Sequence, residues 1–104
     1  MSDFAMELNS TQFDEFIKSG KVIVDFWASW CGPCRMQGQI LDNAGKDFAA
    51  LGIKVGKVNI DVETELAAKF GVNTIPTLML YQDGVLKETL IGVQQAETLK
   101  KKMS

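Results

Sequence analysis

The chain's two cysteines, Cys31 and Cys34, are separated only by Gly32 and Pro33, and this spacing allows a small disulfide ring. An apolar run at residues 22–26 precedes them and is typical of a strand, whereas residues 35–50 have the pattern of a helix. The cysteines therefore lie where a strand ends and a helix begins. Because the first turn of a helix carries unpaired N–H groups and a partial positive charge, it favours a thiolate over a thiol. The arrangement predicts reversible thiol–disulfide chemistry.

The two cysteines are predicted to have different roles. Cys31, at the start of the helix and next to Trp30, is expected to be the exposed thiol with the lower pKa and the attacking nucleophile. Cys34, one turn further on, is expected to be shielded and to displace the mixed disulfide that the first attack forms. A structural staple or a pair of incidental thiols is the alternative, and the position in the chain disfavours both. Two cysteines are also only half of a four-cysteine zinc site.

Histidine is absent from the sequence, which excludes a Cys/His zinc site, a haem attachment motif and a Cys–His nucleophile pair. Proton transfer near neutral pH then requires a carboxyl group, a thiol or water. Asp25 is the candidate, because it interrupts a strand that is otherwise apolar on both faces, and burial raises the pKa of a carboxyl group. We therefore expect Asp25 to carry the proton of Cys34, unless the strand twists and leaves Asp25 in water.

The periodicity of the chain predicts the element order β-α-β-α-β-α-β-β-α. Asn9 with Gln12 predicts a capped first helix, and Asp61 is expected to cap a short helix that runs to residue 70. Asp83 and Gly84 predict a hairpin. The expected strands are residues 3–8, 21–28, 53–60, 77–81 and 85–91, and the helix after the cysteines should bury Met36, Ile40, Leu41, Ala44 and Phe48. Crossovers followed by a hairpin indicate an α/β three-layer sandwich, with a mixed sheet of about five strands flanked by four helices.

The overall composition excludes several classes of function. The 104 residues are enough for one domain, residues 1–104, and 46% apolar with 23% charged residues is typical of a globular protein. The net charge of −2 disfavours a nucleic-acid surface, and no apolar run approaches the roughly 20 residues of a membrane span. Residues 1–3 are polar and acidic, unlike a signal peptide, so a cytoplasmic location is expected.

The string Trp30-Cys31-Gly32-Pro33-Cys34, preceded by V-D-F-W-A at residues 24–28 and followed far downstream by Ile75-Pro76-Thr77, resembles the thioredoxin family. The similarity extends over essentially the whole chain. It implies a thiol–disulfide oxidoreductase that acts as a general protein disulfide reductase, with no bound cofactor and no metal. It also implies that a thioredoxin reductase supplies the electrons, that disulfide-containing proteins are the targets, and that the chain is a monomer.

The resemblance assigns roles to residues that spacing alone does not select. Lys57, on a neighbouring strand, is implied as the charge partner of Asp25, and Gly32 and Pro33 belong to the catalytic motif. The Ile75–Pro76 bond is implied to be cis and to lie against the cysteines, where the Ile75 backbone would bind an extended peptide. An apolar docking patch is implied for Trp30, Ile60, Thr74, Ile75, Pro76, Ile91, Gly92 and Val93.

Some positions depart from the family pattern or have an alternative reading. Gly38-Gln39 stands where the second helix usually has a kinking proline, and Thr74 replaces a residue that is often glycine or alanine. Core packing is the alternative for Ile60 and Ile91, and Trp27 is expected to pack beneath the site. The competing functions are a redox-silent protein-interaction module and a disulfide isomerase-like protein.

Overall fold

The computed structural model describes residues 4–104, which form one five-stranded sheet with helices on both faces. The strands are β1 (Met6–Glu7), β2 (Lys21–Trp27), β3 (Ile53–Asn59), β4 (Thr77–Gln82) and β5 (Val85–Ile91). The helices are α1 (Ser10–Ile17), α2 (Gly32–Asn43), α3 (Gly45–Ala50), α4 (Thr64–Lys69) and α5 (Ala96–Lys102). Residues 1–3, which entered the predictions of the first strand and of the location, lie outside the described part.

The strand order β1-β3-β2-β4-β5 places β2 at the centre of the sheet. β1, β3 and β2 are mutually parallel, whereas β4 runs antiparallel to both β2 and β5. The mixed sheet is therefore confirmed. Because β2 has a strand on each side and helices on each face, residues 22–26 are all buried, which explains their continuous apolar pattern. The end of β2 consequently delivers the cysteine motif to the middle of one edge of the sandwich.

The hydrophobic core lies on both faces of the sheet. On one face, Val22, Val24 and Phe26 of β2 pack with α1 and α4. On the other face, Ile23 of β2 and Leu78 of β4 pack with α2, α3 and α5. The alternation of side chains along β2 produces this division, since neighbouring residues of a strand point to opposite faces. The three-layer arrangement expected from the element order is confirmed.

The helix predicted over residues 35–50 is interrupted, so the described residues contain five helices rather than four. The break is at Ala44, whose φ of −93° and ψ of 5° are not helical. Gly45 begins α3 against the ring of Phe4, and a methyl group at position 45 would lie 3.0 Å from Phe4 Cγ. A glycine in the middle of the helical pattern thus allows the start of α3 to pack closely against Phe4, which precedes β1.

The buried face of α2 also differs from the predicted one. Met36 is 56% exposed, whereas Gln37 is completely buried together with Cys34 and Leu41. The predicted interval of four residues began at Met36, whereas the buried face of α2 begins at Cys34 and continues at Gln37 and Leu41, so it includes a glutamine. Leu41, Ala44 and Phe48 are buried as predicted, whereas Ile40 is only half-buried.

Two of the three helix-cap and turn predictions agree with the structure. The capping box of Asn9 with Gln12 is confirmed, and so is the hairpin at Asp83 and Gly84, whose φ angles are 51° and 86°. The prediction that Asp61 caps α4 is wrong, because α4 begins at Thr64. The β4–β5 pairing carries a register shift at residues 80–81, which makes this edge of the sheet irregular.

Candidate active site

The two cysteines lie at the start of α2 and are joined by a disulfide, with Cα atoms 5.2 Å apart. Cys31 is the N-cap residue of α2, and Pro33 lies in the first turn, where its missing N–H leaves no helical hydrogen bond unmade. The Cys34 N–H donates to Cys31 Sγ at 3.1 Å. The predicted position of the motif, between a strand and a helix, is confirmed. Sulfur at Cys31 thus accepts a hydrogen bond from the helix end.

The expectation of an exposed Cys31 is wrong for this disulfide-bonded structure. Cys31 is 5% exposed and Cys34 is 3% exposed. The physical reason is that three half-buried side chains, Trp27, Ile60 and Ile75, pack around the disulfide. The two residues between the cysteines, Gly32 and Pro33, are exposed and form the surface next to the disulfide.

Asp25 is completely buried, as predicted, and neither carboxyl oxygen has a hydrogen-bond partner among residues 4–104. Desolvation of the carboxylate is the largest effect on its ionisation, and it raises the pKa of Asp25 to about 7. Lys57 opposes this rise, whereas the negative charge of Glu7 adds to it. A carboxyl group with a pKa near neutrality can accept and release a proton at physiological pH.

Lys57 lies in the same cross-strand row as Asp25 and Glu7, since Lys57 on β3 pairs with Asp25 on β2 and with Glu7 on β1. Its Nζ atom lies 4.9 Å from the centre of the Trp27 ring. Helix α2 passes this row at Gly38, where a methyl group would lie 3.4 Å from Lys57 Nζ. The electrostatic influence of Lys57 on Asp25 therefore follows from strand register.

Glu7 is a member of this group that the sequence did not indicate. Although the residue as a whole is exposed, its carboxyl group is partly desolvated, which raises the pKa of Glu7, while Lys57 lowers it. The indole N–H of Trp27 faces this carboxyl group without reaching full hydrogen-bond geometry. Only the pairing of residue 7 with residue 57 brings Glu7 here, so no local pattern could have revealed it.

The Ile75–Pro76 peptide bond is cis, as the family resemblance implied. The Ile75 carbonyl oxygen lies 3.9 Å from Cys31 Sγ, so this segment lies directly against the disulfide. The Pro76 carbonyl accepts a hydrogen bond of 2.8 Å from the Gly92 N–H. Gly92 has φ of 90°, a left-handed conformation that favours glycine. The hydroxyl of Thr77 donates to the Thr74 carbonyl.

The residues of the implied docking patch differ in exposure. Trp30 and Ile91 are 67% and 65% exposed, so the core-packing alternative is wrong for Ile91. Ile60 is half-buried and packs against both the disulfide and the core, so the core-packing alternative agrees with its position. The rest of the patch comprises Thr74, which is exposed, Ile75, Gly92 and Val93, which are half-buried, and Pro76, which is buried.

Asp61 is a second residue at this site whose position the sequence did not indicate. Its carboxylate accepts a hydrogen bond of 2.8 Å from Trp30 Nε1, which explains how an indole that is mostly in solvent keeps one orientation. Its own N–H donates to Asn59 Oδ1 at 2.9 Å. Asp61 follows β3, a neighbour of β2, and parallel strands end at the same edge of the sheet. The parallel pairing of β2 with β3 was therefore the feature that could have predicted that Asp61 lies near Trp30.

Residues 4–104 contain no group of three or more side chains of the types that bind metal ions. Over the same range, no helix has the length and apolar character needed to cross a membrane.

Comparison with known proteins agrees with this geometry. The thioredoxin family model matches residues 4–104. Thioredoxin of Chlamydia pneumoniae is 42% identical over 92 residues, which are 88% of this chain and 88% of that protein. A mutant thioredoxin of Halobacterium salinarum has a TM-score of 0.87 at 30% identity, covering 99% of this chain and 91% of that one. Oxidised mitochondrial thioredoxin 3 of Saccharomyces cerevisiae has a TM-score of 0.83 at 31% identity, over 95% and 92%.

A disulfide at a helix start, together with these relatives, defines a thiol–disulfide oxidoreductase. More particularly, the chain belongs to the thioredoxin family. It is a protein disulfide reductase that works by dithiol–disulfide exchange through Cys31 and Cys34 and is recharged by a thioredoxin reductase. The redox-silent module and the isomerase-like protein are not favoured.

Proposed function

We propose that Cys31 is the attacking thiolate of the exchange and that Cys34 resolves the mixed disulfide. The observation that carries this proposal is the hydrogen bond from the Cys34 N–H to Cys31 Sγ at 3.1 Å. As the N-cap residue of α2, Cys31 has its sulfur at the positive end of the helix dipole, which favours the thiolate. Cys34 lies inside the first turn and is buried, so its sulfur is placed to react with Cys31.

The proposed exchange has two steps. First, the Cys31 thiolate attacks one sulfur of a target disulfide, so that a mixed disulfide forms and the other target sulfur leaves as a thiolate. Second, Cys34 loses its proton to the Asp25 carboxylate and attacks Cys31 Sγ. The mixed disulfide breaks, the Cys31–Cys34 disulfide forms, and the second target sulfur leaves. Two electrons pass to the target, whose thiolates take up the proton from Asp25 and one from solvent.

Asp25 suits the second step because burial raises its pKa to about 7. Near neutral pH a substantial fraction is then the carboxylate, which accepts a proton, and the acid formed is strong enough to release it again. Lys57 acts as the charge partner, since its positive charge lowers the pKa of Asp25 against the effect of burial. The proton moves between Cys34 and Asp25 directly or through one water molecule.

The patch around the disulfide is proposed to bind the target protein. The Ile75 carbonyl would pair with an extended peptide as a neighbouring strand would, and its distance of 3.9 Å from Cys31 Sγ supports this role. Trp30 and Ile91 offer exposed apolar surface, and the left-handed Gly92 keeps the approach open. Gly32 and Pro33 complete the surface beside Cys31.

The proposal extends to the whole protein and its partners. Residues 1–104 would form a single domain, which the match over residues 4–104 and the radius of gyration of 12.2 Å support. The protein would act as a monomer, since all the reacting groups come from one chain. It would reduce disulfide-containing proteins in the cytoplasm, the reducing compartment that keeps such a cysteine pair active. The net charge of −2 gives no reason to expect nucleic-acid or membrane binding.

Insulin reduction with dithiothreitol as the source of electrons tests the roles of the cysteines, because no partner reductase is needed. Cys31→Ser is expected to abolish turnover, since no nucleophile remains. Cys34→Ser, its matched control, should still attack: when it is reduced beforehand and mixed with insulin after dithiothreitol has been removed, it should accumulate a mixed disulfide that mass spectrometry detects. Full turnover by Cys31→Ser would refute the proposal, as would a mixed disulfide formed by Cys31→Ser and not by Cys34→Ser.

A further inference from the structure

Gln37 is a fully buried polar side chain that the exchange mechanism does not use. It lies on α2, three residues after Cys34 and on the same buried face of the helix. Burying a carboxamide is unfavourable unless its donors and acceptor are hydrogen-bonded. An apolar residue would fit the pattern of this helix face, so the partners of Gln37 indicate what the glutamine provides.

Both polar atoms of Gln37 bond the main chain of one residue, Gln94. The Gln94 N–H donates to Gln37 Oε1 at 2.6 Å, and Gln37 Nε2 donates to the Gln94 carbonyl at 3.0 Å. Gln94 lies in the segment between the end of β5 at Ile91 and the start of α5 at Ala96, which is neither helix nor strand. A helix side chain therefore supplies the paired hydrogen bonds that a neighbouring strand would otherwise give.

The same segment is fixed at two further points. The Gln94 side chain donates to the Gly92 carbonyl at 3.2 Å, and the Gly92 N–H donates to the Pro76 carbonyl at 2.8 Å. A continuous set of hydrogen bonds thus connects the cis-proline segment, the 92–94 segment and the helix that carries Cys34. Gly92 and Val93, which belong to the docking patch, lie between these fixed points.

We propose that Gln37 is a positioning residue that holds the 92–94 segment, and with it the Gly92–Val93 side of the docking patch, in the geometry that protein substrates require. The inference rests on the proposed docking role of this patch. Gln37 touches neither the sulfurs nor the substrate, and it acts through the backbone of Gln94. Loss of its two hydrogen bonds leaves the cysteines at the start of α2 but frees one wall of the peptide-binding surface.

The test compares Gln37→Met with Gln39→Met, which places the same side chain on an exposed position of the same helix. Kinetics are measured with insulin, which needs the docking patch, and with 5,5′-dithiobis(2-nitrobenzoic acid), a small disulfide that does not. Gln37→Met should raise KM for insulin about five- to tenfold, the equivalent of roughly one net hydrogen bond, with kcat little changed. Its rate with the small disulfide, and both rates of Gln39→Met, should stay near those of the parent.

Hydrogen exchange supplies a readout that altered stability alone would not move. In Gln37→Met the Gln94 amide should exchange at least about tenfold faster, whereas the Val24 amide in the central strand should keep its protection. If the Gln94 amide loses protection and KM for insulin is unchanged, the proposal is overturned. An equal loss of rate with both disulfides also overturns it, because the effect would then lie at the cysteines.

Two further variants keep the outcome decisive. If Gln37→Met does not fold, Gln94→Ala removes the side-chain bonds of the same segment to the Gly92 and Ile91 carbonyls and keeps both Gln37 bonds to the main chain. It tests whether the geometry of the 92–94 segment matters for insulin and should raise KM about twofold, and an unchanged KM would overturn the proposal. Ile91→Ser tests the docking patch itself. If Ile91→Ser raises KM and the Gln37 and Gln94 variants do not, the inference fails and the proposed function stands. If Ile91→Ser leaves KM unchanged, the docking proposal itself fails.

Discussion

At the scale of single residues, the charge of the site depends on the row formed by Glu7, Lys57 and Asp25 across three neighbouring strands. Lys57 lies between two carboxyl groups, so its positive charge acts on both Glu7 and Asp25. Burial raises the pKa of Asp25 to about 7 although Lys57 opposes it, and Glu7 contributes to the rise. The ionisation of the buried group is thus adjustable from an exposed position at the edge of the sheet.

Replacement of Glu7 by glutamine is expected to lower the pKa of Asp25. The substitution removes a negative charge that opposes ionisation of Asp25 and leaves Lys57 to act on Asp25 alone, so the pKa should fall by less than burial raises it, because Glu7 is the smallest of the three causes. The measurement is a carbon-13 NMR titration of the Asp25 carboxyl in the oxidised protein. Glu65→Gln, at an exposed position of α4, is the control. An unchanged or higher pKa of Asp25 in Glu7→Gln would contradict this account.

The residues at and around the site were predictable from sequence to different degrees. Cys31, Cys34 and Asp25 stood out because their types are rare or out of place in their local pattern. Glu7 did not, since its role depends on the pairing of residues 50 positions apart. Gln37 was missed because a helical stripe was assigned to apolar residues, whereas the structure buries a glutamine whose partner lies 57 positions away.

At the scale of elements, a local signal was reliable where both of its partners lie close together in the chain. The capping box at α1 was readable because both partners lie within four residues, with Asn9 Oδ1 accepting from the Gln12 N–H at 2.9 Å and Gln12 Oε1 accepting from the Asn9 N–H at 3.1 Å. The helix break at Ala44 could not be predicted from the local sequence, because it accompanies a tertiary contact between Gly45 and Phe4. Asp61 is a favourable capping residue, yet it is bonded to Trp30 instead.

Asn9→Ala is expected to lower the free energy of unfolding by about 1 kcal/mol, because it removes the acceptor for the N–H of Gln12 and leaves the α1 end unpaired. Chemical denaturation of the oxidised protein is the measurement. Thr11→Ala, inside the same helix and exposed, should cost no stability, since alanine is the better helix former. Equal stability of Asn9→Ala and the parent protein would show that the cap does not contribute.

At the scale of the whole molecule, Asp25 makes stability depend on pH. The pKa of Asp25 is about 7 in the folded protein against an ordinary value of 3.8, so between these values the folded state keeps a proton that the unfolded chain loses. The corresponding stability is complete below pH 3.8 and is lost as the pH rises through about 7. At about 1.4 kcal/mol per pKa unit, the difference between 3.8 and about 7 corresponds to a loss of roughly 4 kcal/mol.

Asp25→Ala should remove this dependence. Near pH 4 the variant should be about as stable as the parent protein, and at pH 8 it should be more stable by up to roughly 4 kcal/mol, since no buried carboxylate must form. Denaturant titrations of the oxidised proteins at both pH values provide the measurement, and Asp42→Ala at an exposed position of α2 is the control. The same variant should reduce insulin about tenfold more slowly or worse. A clear loss of stability at pH 8 would contradict the burial argument.

The architecture of the whole molecule was largely predictable, because the alternation of strands and helices followed by a hairpin leaves few topologies open. The order of the strands in the sheet was not stated from sequence, and it is this order that unites Glu7, Lys57 and Asp25. Long-range strand pairing therefore determines how these three residues are arranged, which the local sequence patterns could not predict.

The two outer strands of the sheet have a bearing on how such a protein handles its substrates. One edge strand, β1, is only two residues long. The other edge strand, β5, carries Lys87 and Glu88 and pairs irregularly with β4. Neither offers a long, regular ladder of free backbone groups onto which a foreign chain could grow. A protein that reduces the disulfides of other proteins would thereby be guarded against templated aggregation, and under the proposed function the loop at Ile75 is left as the place where a substrate strand would bind.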